Sequence, residues 1–379
     1  MSIQNKPFKL AFIGGSLTSA VGYTHYIASR MDNLFSLEAG AFSRDKIINE
    51  QTANAWGVEK NHTYSCWKTL LHNEINNIDV VVILTPTPSH HEMIMLALNL
   101  GYAVISEKAL ASTSQEGSEI VSKIKEKNAF FAVTHNYTGY PMLRELQDMI
   151  LTQKLGEITN INIEMPQESF ARLSNGKQPS PQQWRLNDKI IPGVSLDLGT
   201  HLQHLIYFLV HENPSEIVAD QTSMGWFDNV IDNVACLVRY PSGMRCQMWY
   251  GKAAIGHRNG LRIRIYGTKG SAEWFQMNPE ELIFHTVDGD RMIIDRASNN
   301  VKVASLPRYN RFKAGHPAGF VEAFANIYMD VFDKFNDFHV NSSYDIEWSY
   351  TAEQANIGLK VFEAIQISST QNKWVSLGI

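Results

Sequence analysis

Three residues near the middle of the chain have the types and spacing to move a proton. Asp197, His201 and His204 fall at i, i+4 and i+7, on one face of a helix. Leu198, Leu202, Leu205 and Leu209 form an apolar stripe beside them, so the polar groups sit at the edge of a core-facing surface, where a cleft could lie. An imidazole has an ordinary pKa near neutrality and can accept a proton, and a neighbouring carboxylate can bias it. The same residues also describe an ordinary capped helix, with Asp197 favouring the helix dipole and the histidines solvated. What precedes them in the chain decides between the two.

A second constellation lies in the first third. The apolar run from Phe8 to Ile13 ends in Gly14 and Gly15 and reads as a buried parallel strand entering a tight turn. Ser16, Thr18 and Ser19 follow, then Gly22 and a helical pattern to about Met31. Strand, glycine turn and helix is the order that sets backbone N–H groups against a pyrophosphate at a helix N-terminus. The spacing is not a clean G-x-G-x-x-G, and the hydroxyls of Ser16 and Thr18 fit either a phosphate contact or a decorated turn. Strand patterns over 35–42, 79–84, 102–106 and 130–133 alternate with helical patterns over 45–56, 89–100 and 114–127. That alternation predicts right-handed βαβ units and a parallel sheet, with ligands beyond the carboxyl ends of the strands. Ser43 and Arg44, Thr85 and Pro86 followed by His90, and Glu107 with Lys108 all occupy such ends. The second strand of a dinucleotide fold usually ends in an acid that binds the ribose; a serine and an arginine there suit a 2′-phosphate, which favours NADP over NAD. His90 and His91 are adjacent and point apart on a helix, so no metal is expected.

The remaining elements must carry a substrate. Tyr137 follows the last strand of the first part, and Pro141 suits the first turn of a helix to about Thr152. A strand over 158–165 leads to Gln167, and a polar loop over 174–183 ends in Trp184 and Arg185, an aromatic wall beside a hydroxyl-binding guanidinium. Short strands over 216–223, 233–240, 244–250, 261–266 and 272–275, with hairpin turns at 241–243, 267–270 and 288–290, predict an antiparallel sheet. Helices over 317–335 and 350–367 close the chain. At 379 residues, about two domains are expected. The net charge of −5 argues against nucleic acid and anionic membranes as partners. No apolar run reaches transmembrane length, and the N-terminus lacks the apolar segment of a signal peptide. Three scattered cysteines fit a reducing cytoplasm rather than a disulfide framework.

Taken in order, Gly14-Gly15, Thr85-Pro86 with His90, Glu107-Lys108-Ala109 and Asp197 with Gly199 and His201 match a family pattern. The chain resembles the glucose–fructose oxidoreductase, inositol dehydrogenase and MocA (Gfo/Idh/MocA) oxidoreductase family over essentially its whole length. The resemblance implies an α/β protein: an N-terminal Rossmann domain at 1–133, and a C-terminal α/β domain at 134–379 on a large open, mostly antiparallel sheet. The helix at about 350–367 would pack back on the first domain. It implies NAD(P) as cofactor, bound through Gly14, Gly15, Ser16, Thr18, Ser43, Arg44, Thr85, Pro86, His90, Glu107 and Lys108. A small sugar or cyclitol would meet Tyr137, Gln167, Trp184, Arg185, Asp197 and His201. Lys108, His201 and Asp197 would carry the chemistry, and a homodimer or homotetramer would form through the C-terminal sheet, with Trp249, Tyr250 and Trp274 as candidates for that interface or, equally, for the core. Gly199 would leave room for cofactor or substrate, and His204 receives no fixed role. Two departures stand out: Ala109 replaces the proline of E-K-P, and Ser16 and Thr18 stand where close members have glycine. The alternative from another class is a dinucleotide-responsive binding protein without turnover.

Overall fold

The first apolar run folds as β1 (Phe8–Gly14) and opens a βα alternation. After it come α1 (Gly22–Arg30), β2 (Phe35–Ala41), α2 (Lys46–Trp56), α3 (Trp67–Asn73), β3 (Val80–Leu84), α4 (His90–Asn99), β4 (Ala103–Glu107), α5 (Ser114–Lys127) and β5 (Phe131–Thr134). The chain continues through α6 (Pro141–Leu151), β6 (Ile158–Pro166), α7 (Thr200–Val210), β7 (Glu216–Thr222), β8 (Asn233–Arg239), β9 (Arg245–Gly251), β10 (Arg262–Gly267) and β11 (Gly270–Phe275). It ends with β12 (Glu281–Thr286), β13 (Arg291–Asp295), α8 (Phe320–Asn341), α9 (Ala352–Gln371) and β14 (Val375–Ser376). The computed structural model describes residues 6–341 and 351–378; Tyr350, the expected start of the last helix, lies outside them.

The chain divides into two units, Met1–Gly139 with Phe320–Asn356, and Tyr140–Gly319 with Ile357–Ile379. In the first, five parallel strands run in the order β2-β1-β3-β4-β5. Val80 to Ile83 are fully buried, as expected of a strand covered on both faces. The strand order reverses beside β1, and the crevice at such a switch point is where open α/β sheets bind ligands.

The division differs from the expected boundary at 133. α8 belongs to the first unit, although its place in the sequence suggested the second. Phe324, Ile327, Tyr328, Val331 and Phe335 complete one apolar core with Leu10, Phe12, Phe35 and Phe130, and burying that face outweighs position in the chain. It is α8, not the last helix as a whole, that rejoins the first unit. The division then runs through α9, whose Asn356 bonds Ser118 at 3.0 Å.

In the second unit, nine strands run in the order β13-β12-β11-β10-β6-β9-β8-β7-β14. All pairs are antiparallel except β6 with β9. β12, β13 and β14 extend this sheet beyond the strands expected from sequence. α6 and α7 pack together, α7 over β6 and α6 over β11 and β12, so the helices cover one face. Tyr250 and Trp274 are fully buried in this unit's core, the second of the two readings their positions allowed; Trp249 stays half-buried on the open face.

Candidate active site

In the first unit, the glycine turn is shaped by space. Gly14 and Gly15 have φ of +80° and +73°, the left-handed region that side chains avoid. A Cβ on Gly14 would lie 2.8 Å from Thr85 Cγ2, one on Gly15 would strike the Leu84 side chain, and one on Gly22 would overlap the Gly15 carbonyl oxygen. The turn is therefore closed against the end of β3 and leaves no room for a side chain at these glycines. Ser16 is buried and its hydroxyl lies 3.1 Å from that of exposed Thr18. Ser19 Oγ accepts from Val21 N (3.3 Å) and Gly22 N (3.2 Å). The hydroxyls thus order the loop that enters α1.

At the end of β2, Asn49 Oδ1 accepts from the N–H groups of Phe42 and Ser43, and Ser43 Oγ accepts from Asp45 N. Asp45 caps α2 by accepting from Ile48 N at 3.0 Å. Arg44 is exposed. Pro86 is exposed beside half-buried Thr85. His90 is wholly buried, with Nε2 2.7 Å from the Thr85 carbonyl and Nδ1 2.8 Å from the Ala109 carbonyl. It ties the loop after β3 to the peptide following Lys108. The Lys108–Ala109 bond is cis. Burial holds the His90 imidazole below its ordinary range.

Glu107 is buried at the end of β4. Its Oε1 receives Thr134 Oγ1 at 2.5 Å and His25 Nε2 at 3.0 Å, and His25 Nδ1 meets the Tyr328 hydroxyl at 2.8 Å. Both ring nitrogens of His25 thus have a partner. Burial alone would raise the Glu107 carboxyl. The His25 contact, the Lys108 charge and Thr134 outweigh it and hold the carboxyl below the ordinary range. Lys108 follows directly, half-buried, and Tyr137 is buried in the turn after β5.

In the second unit, Asp197 does not lie on a regular α-helix. Ser195–Gly199 form a π-helical turn leading into α7, a widening frequent at functional sites. Ser195 Oγ lies 2.8 Å from the Tyr250 hydroxyl. A Cβ on Gly199 would come 2.8 Å from Tyr250 Cζ and 3.0 Å from Phe362 Cε1. The missing side chain at Gly199 therefore serves this packing, not the approach of a ligand. His201 and His204 are both buried, which removes the solvated alternative.

Asp197 Oδ2 receives Arg185 Nε at 3.0 Å and Lys252 Nζ at 2.5 Å, and Arg185 Nη2 reaches Oδ1 at 3.4 Å. Arg185 lies over the Trp184 ring at 4.4 Å. Gln167 N donates to the Gly251 carbonyl at 2.8 Å, and its Nε2 to Asn259 Oδ1 at 3.0 Å. Lys252 from the end of β9 and Arg185 from the polar loop thus meet on Asp197, while Gln167, at the end of β6, is bonded to Gly251 and Asn259. Lys252 was not singled out from sequence: it follows a strand that alternates exposed and buried residues, and no motif of the family marks it. Nor does any motif mark His25, Thr134 or Tyr328.

A parallel sheet with a side-chain-free glycine turn at its switch point fits a dinucleotide, and the chain matches the oxidoreductase family with NAD-binding Rossmann fold over residues 8–135. It is an NAD(P)-binding oxidoreductase by class. Residues 143–273 match the GFO/IDH/MocA C-terminal domain. The uncharacterized oxidoreductase YfiI of Bacillus subtilis is 32% identical over 343 residues, covering 86% of this chain and 85% of its own. The chain belongs to the Gfo/Idh/MocA oxidoreductase family. Levoglucosan dehydrogenase of Pseudarthrobacter phenanthrenivorans is 25% identical over 303 residues, 72% of this chain and 75% of its own. An inositol dehydrogenase homolog from Azotobacter vinelandii, solved with NADH and myo-inositol, shares the fold with a TM-score of 0.87 at 24% identity, over 98% of each chain. A non-catalytic binding protein draws no support from these relatives. Among the described residues, no helix is long and apolar enough to cross a membrane, and no cluster of three or more His, Cys, Asp or Glu could hold a metal.

Proposed function

We propose that the chain catalyses reversible hydride transfer between a nicotinamide and a carbinol carbon of a small sugar, glycoside or cyclitol. The observation that carries this reading is the glycine turn, packed too closely on Thr85 and Leu84 to admit a side chain, with Glu107 and Lys108 ending the strand next to β3. The levoglucosan and inositol relatives support the substrate class. Bound at that edge, the nicotinamide supplies the hydride acceptor or donor. The backbone of Gly14 and Gly15, with Ser16 and Thr18, binds the pyrophosphate, while Thr85, Pro86 and His90 line the loop beside it.

Lys108 hydrogen-bonds the reacting oxygen and stabilises its alkoxide character. Glu107, held by His25 and Thr134, fixes the strand end from which Lys108 projects. As the hydride leaves the carbinol carbon, His201 accepts the hydroxyl proton. Asp197 anchors a neighbouring hydroxyl, and Gln167, Tyr137, Trp184 and Arg185 complete the sugar contacts. NADP is preferred over NAD: Asp45, the nearest acid after β2, is engaged as a helix cap, and Arg44 is left as the exposed charge at the strand end, suited to a 2′-phosphate.

The sheet face opposite the helices carries a groove of about 630 Å³ lined by Glu164, Cys236, Leu237, Trp249 and Arg264. Leu237 is 49% exposed there, and this is the face through which a homodimer or homotetramer would form. Cys236 and Cys246 are free, with burial pushing both thiols up, in keeping with a reducing cytoplasm. Lys108→Ala and His201→Ala should each lower turnover by about two to four orders of magnitude while thermal unfolding stays cooperative. Near-wild-type turnover in both would contradict the assignment.

A further inference from the structure

We infer that Lys252 is a positioning residue for the reaction and acts through Asp197; this rests on the reading of Asp197 as a substrate-binding group. Lys252 follows β9, and its backbone is clamped on both sides: its N–H donates to the Asp232 carbonyl at 2.7 Å, and its carbonyl accepts from Phe170 N at 2.8 Å. Its side chain is 5% exposed, against 24% for that of Arg185. A lysine is rarely so buried without a partner, because an unpaired ammonium pays heavily for leaving water. Here Nζ sits 2.5 Å from Asp197 Oδ2 and 5.2 Å from the Phe170 ring centroid.

Stability alone gives a poor reason for this pair. Apolar residues of similar volume commonly serve a core as well as a buried ion pair or better. A cation anchored at a sheet end does serve to hold a carboxylate ionised and in one orientation. Lys252 Nζ and Arg185 Nε converge on Oδ2, whereas Oδ1 has the longer 3.4 Å contact with Arg185 Nη2. A carboxylate oxygen can accept more than one donor, so the carboxylate held in this way can still take a hydroxyl of the sugar. Arg185 comes from the polar loop and rests on Trp184. Lys252 comes from the sheet and fixes where the carboxylate stands.

A double-mutant cycle tests this, with kcat and KM measured for the sugar and KM for the cofactor in Lys252→Met, Asp197→Asn and the double variant. Each single change should lower kcat/KM for the sugar about tenfold or more, with cofactor KM within about twofold of wild type, and the double variant should fall within about twofold of Asp197→Asn alone. Multiplying effects, or wild-type kinetics in Lys252→Met, would overturn the inference while leaving Asp197 in place. Wild-type kinetics in Asp197→Asn would instead remove the reading of Asp197, and the inference with it. Should Lys252→Met not fold, Lys252→Ala assayed with added ethylammonium gives the second test. Recovery of kcat/KM with the amine supports the role, and no recovery contradicts it.

Discussion

Around Lys108, individual side chains settle how the protein answers to acid. His135 follows β5, 2% exposed. Burial lowers its imidazole to about 3, with the Glu107 charge opposing and the Lys108 charge adding to the shift. The folded protein keeps this ring neutral, whereas an unfolded chain protonates histidine near its ordinary value of about 6.5. Between those values the unfolded state binds more protons, so stability falls as pH drops through the window, by up to about 1.4 kcal/mol per pH unit for one group. His90, also lowered by burial, acts in the same direction. Glu107, lowered from 4.5, adds its loss only at more acid pH, as its folded carboxyl protonates. His135→Asn should therefore flatten, without abolishing, the fall in denaturant-measured stability between about pH 7 and pH 5. An unchanged slope would contradict the buried neutral ring.

Among the elements, the turn before α7 shows how packing overrides a sequence pattern. The i, i+4, i+7 spacing of Asp197, His201 and His204 reads as an α-helix, and α7 is one from Thr200. The π-helical turn before it is pinned by Ser195 and Gly199 against Tyr250, residues 55 and 51 positions away, so no local pattern announces it. Gly199→Ala should cost about 1–3 kcal/mol of stability by overpacking Tyr250 and Phe362, read as a lowered Tm. Gly358→Ala in α9, where a Cβ would meet nothing within 4 Å, should be neutral or stabilising by up to about 1 kcal/mol. Equal effects from the two changes would show that crowding at Tyr250 is not what requires Gly199. The parallel strands were legible because apolar residues dominate each, without interruption over Val80 to Leu84, and turn or polar residues bound them before the next helical pattern. β12 and β13 were missed although their Asp288–Asp290 turn was seen: Ile283 pairs with Ile293, which is exposed on the side of the sheet where polar residues are expected.

For the molecule as a whole, the candidate residues were more legible than the groups that hold them. Glu107-Lys108 are adjacent and Asp197 and His201 lie four apart, so their order along the chain could carry the resemblance to the family. The groups that hold them come from far away: His25 reaches Glu107 across 82 residues and Lys252 reaches Asp197 across 55. α8 likewise returns to the first unit only because its apolar face completes that core. The most direct test of hydride transfer is absorbance at about 340 nm when purified protein is mixed with NADP or NAD and a panel of sugars, glycosides and cyclitols. Substrate-dependent cofactor reduction is expected, faster with NADP and lost in Lys108→Ala. Thermal stabilisation by the cofactor, with no turnover of any compound in either direction, would contradict it.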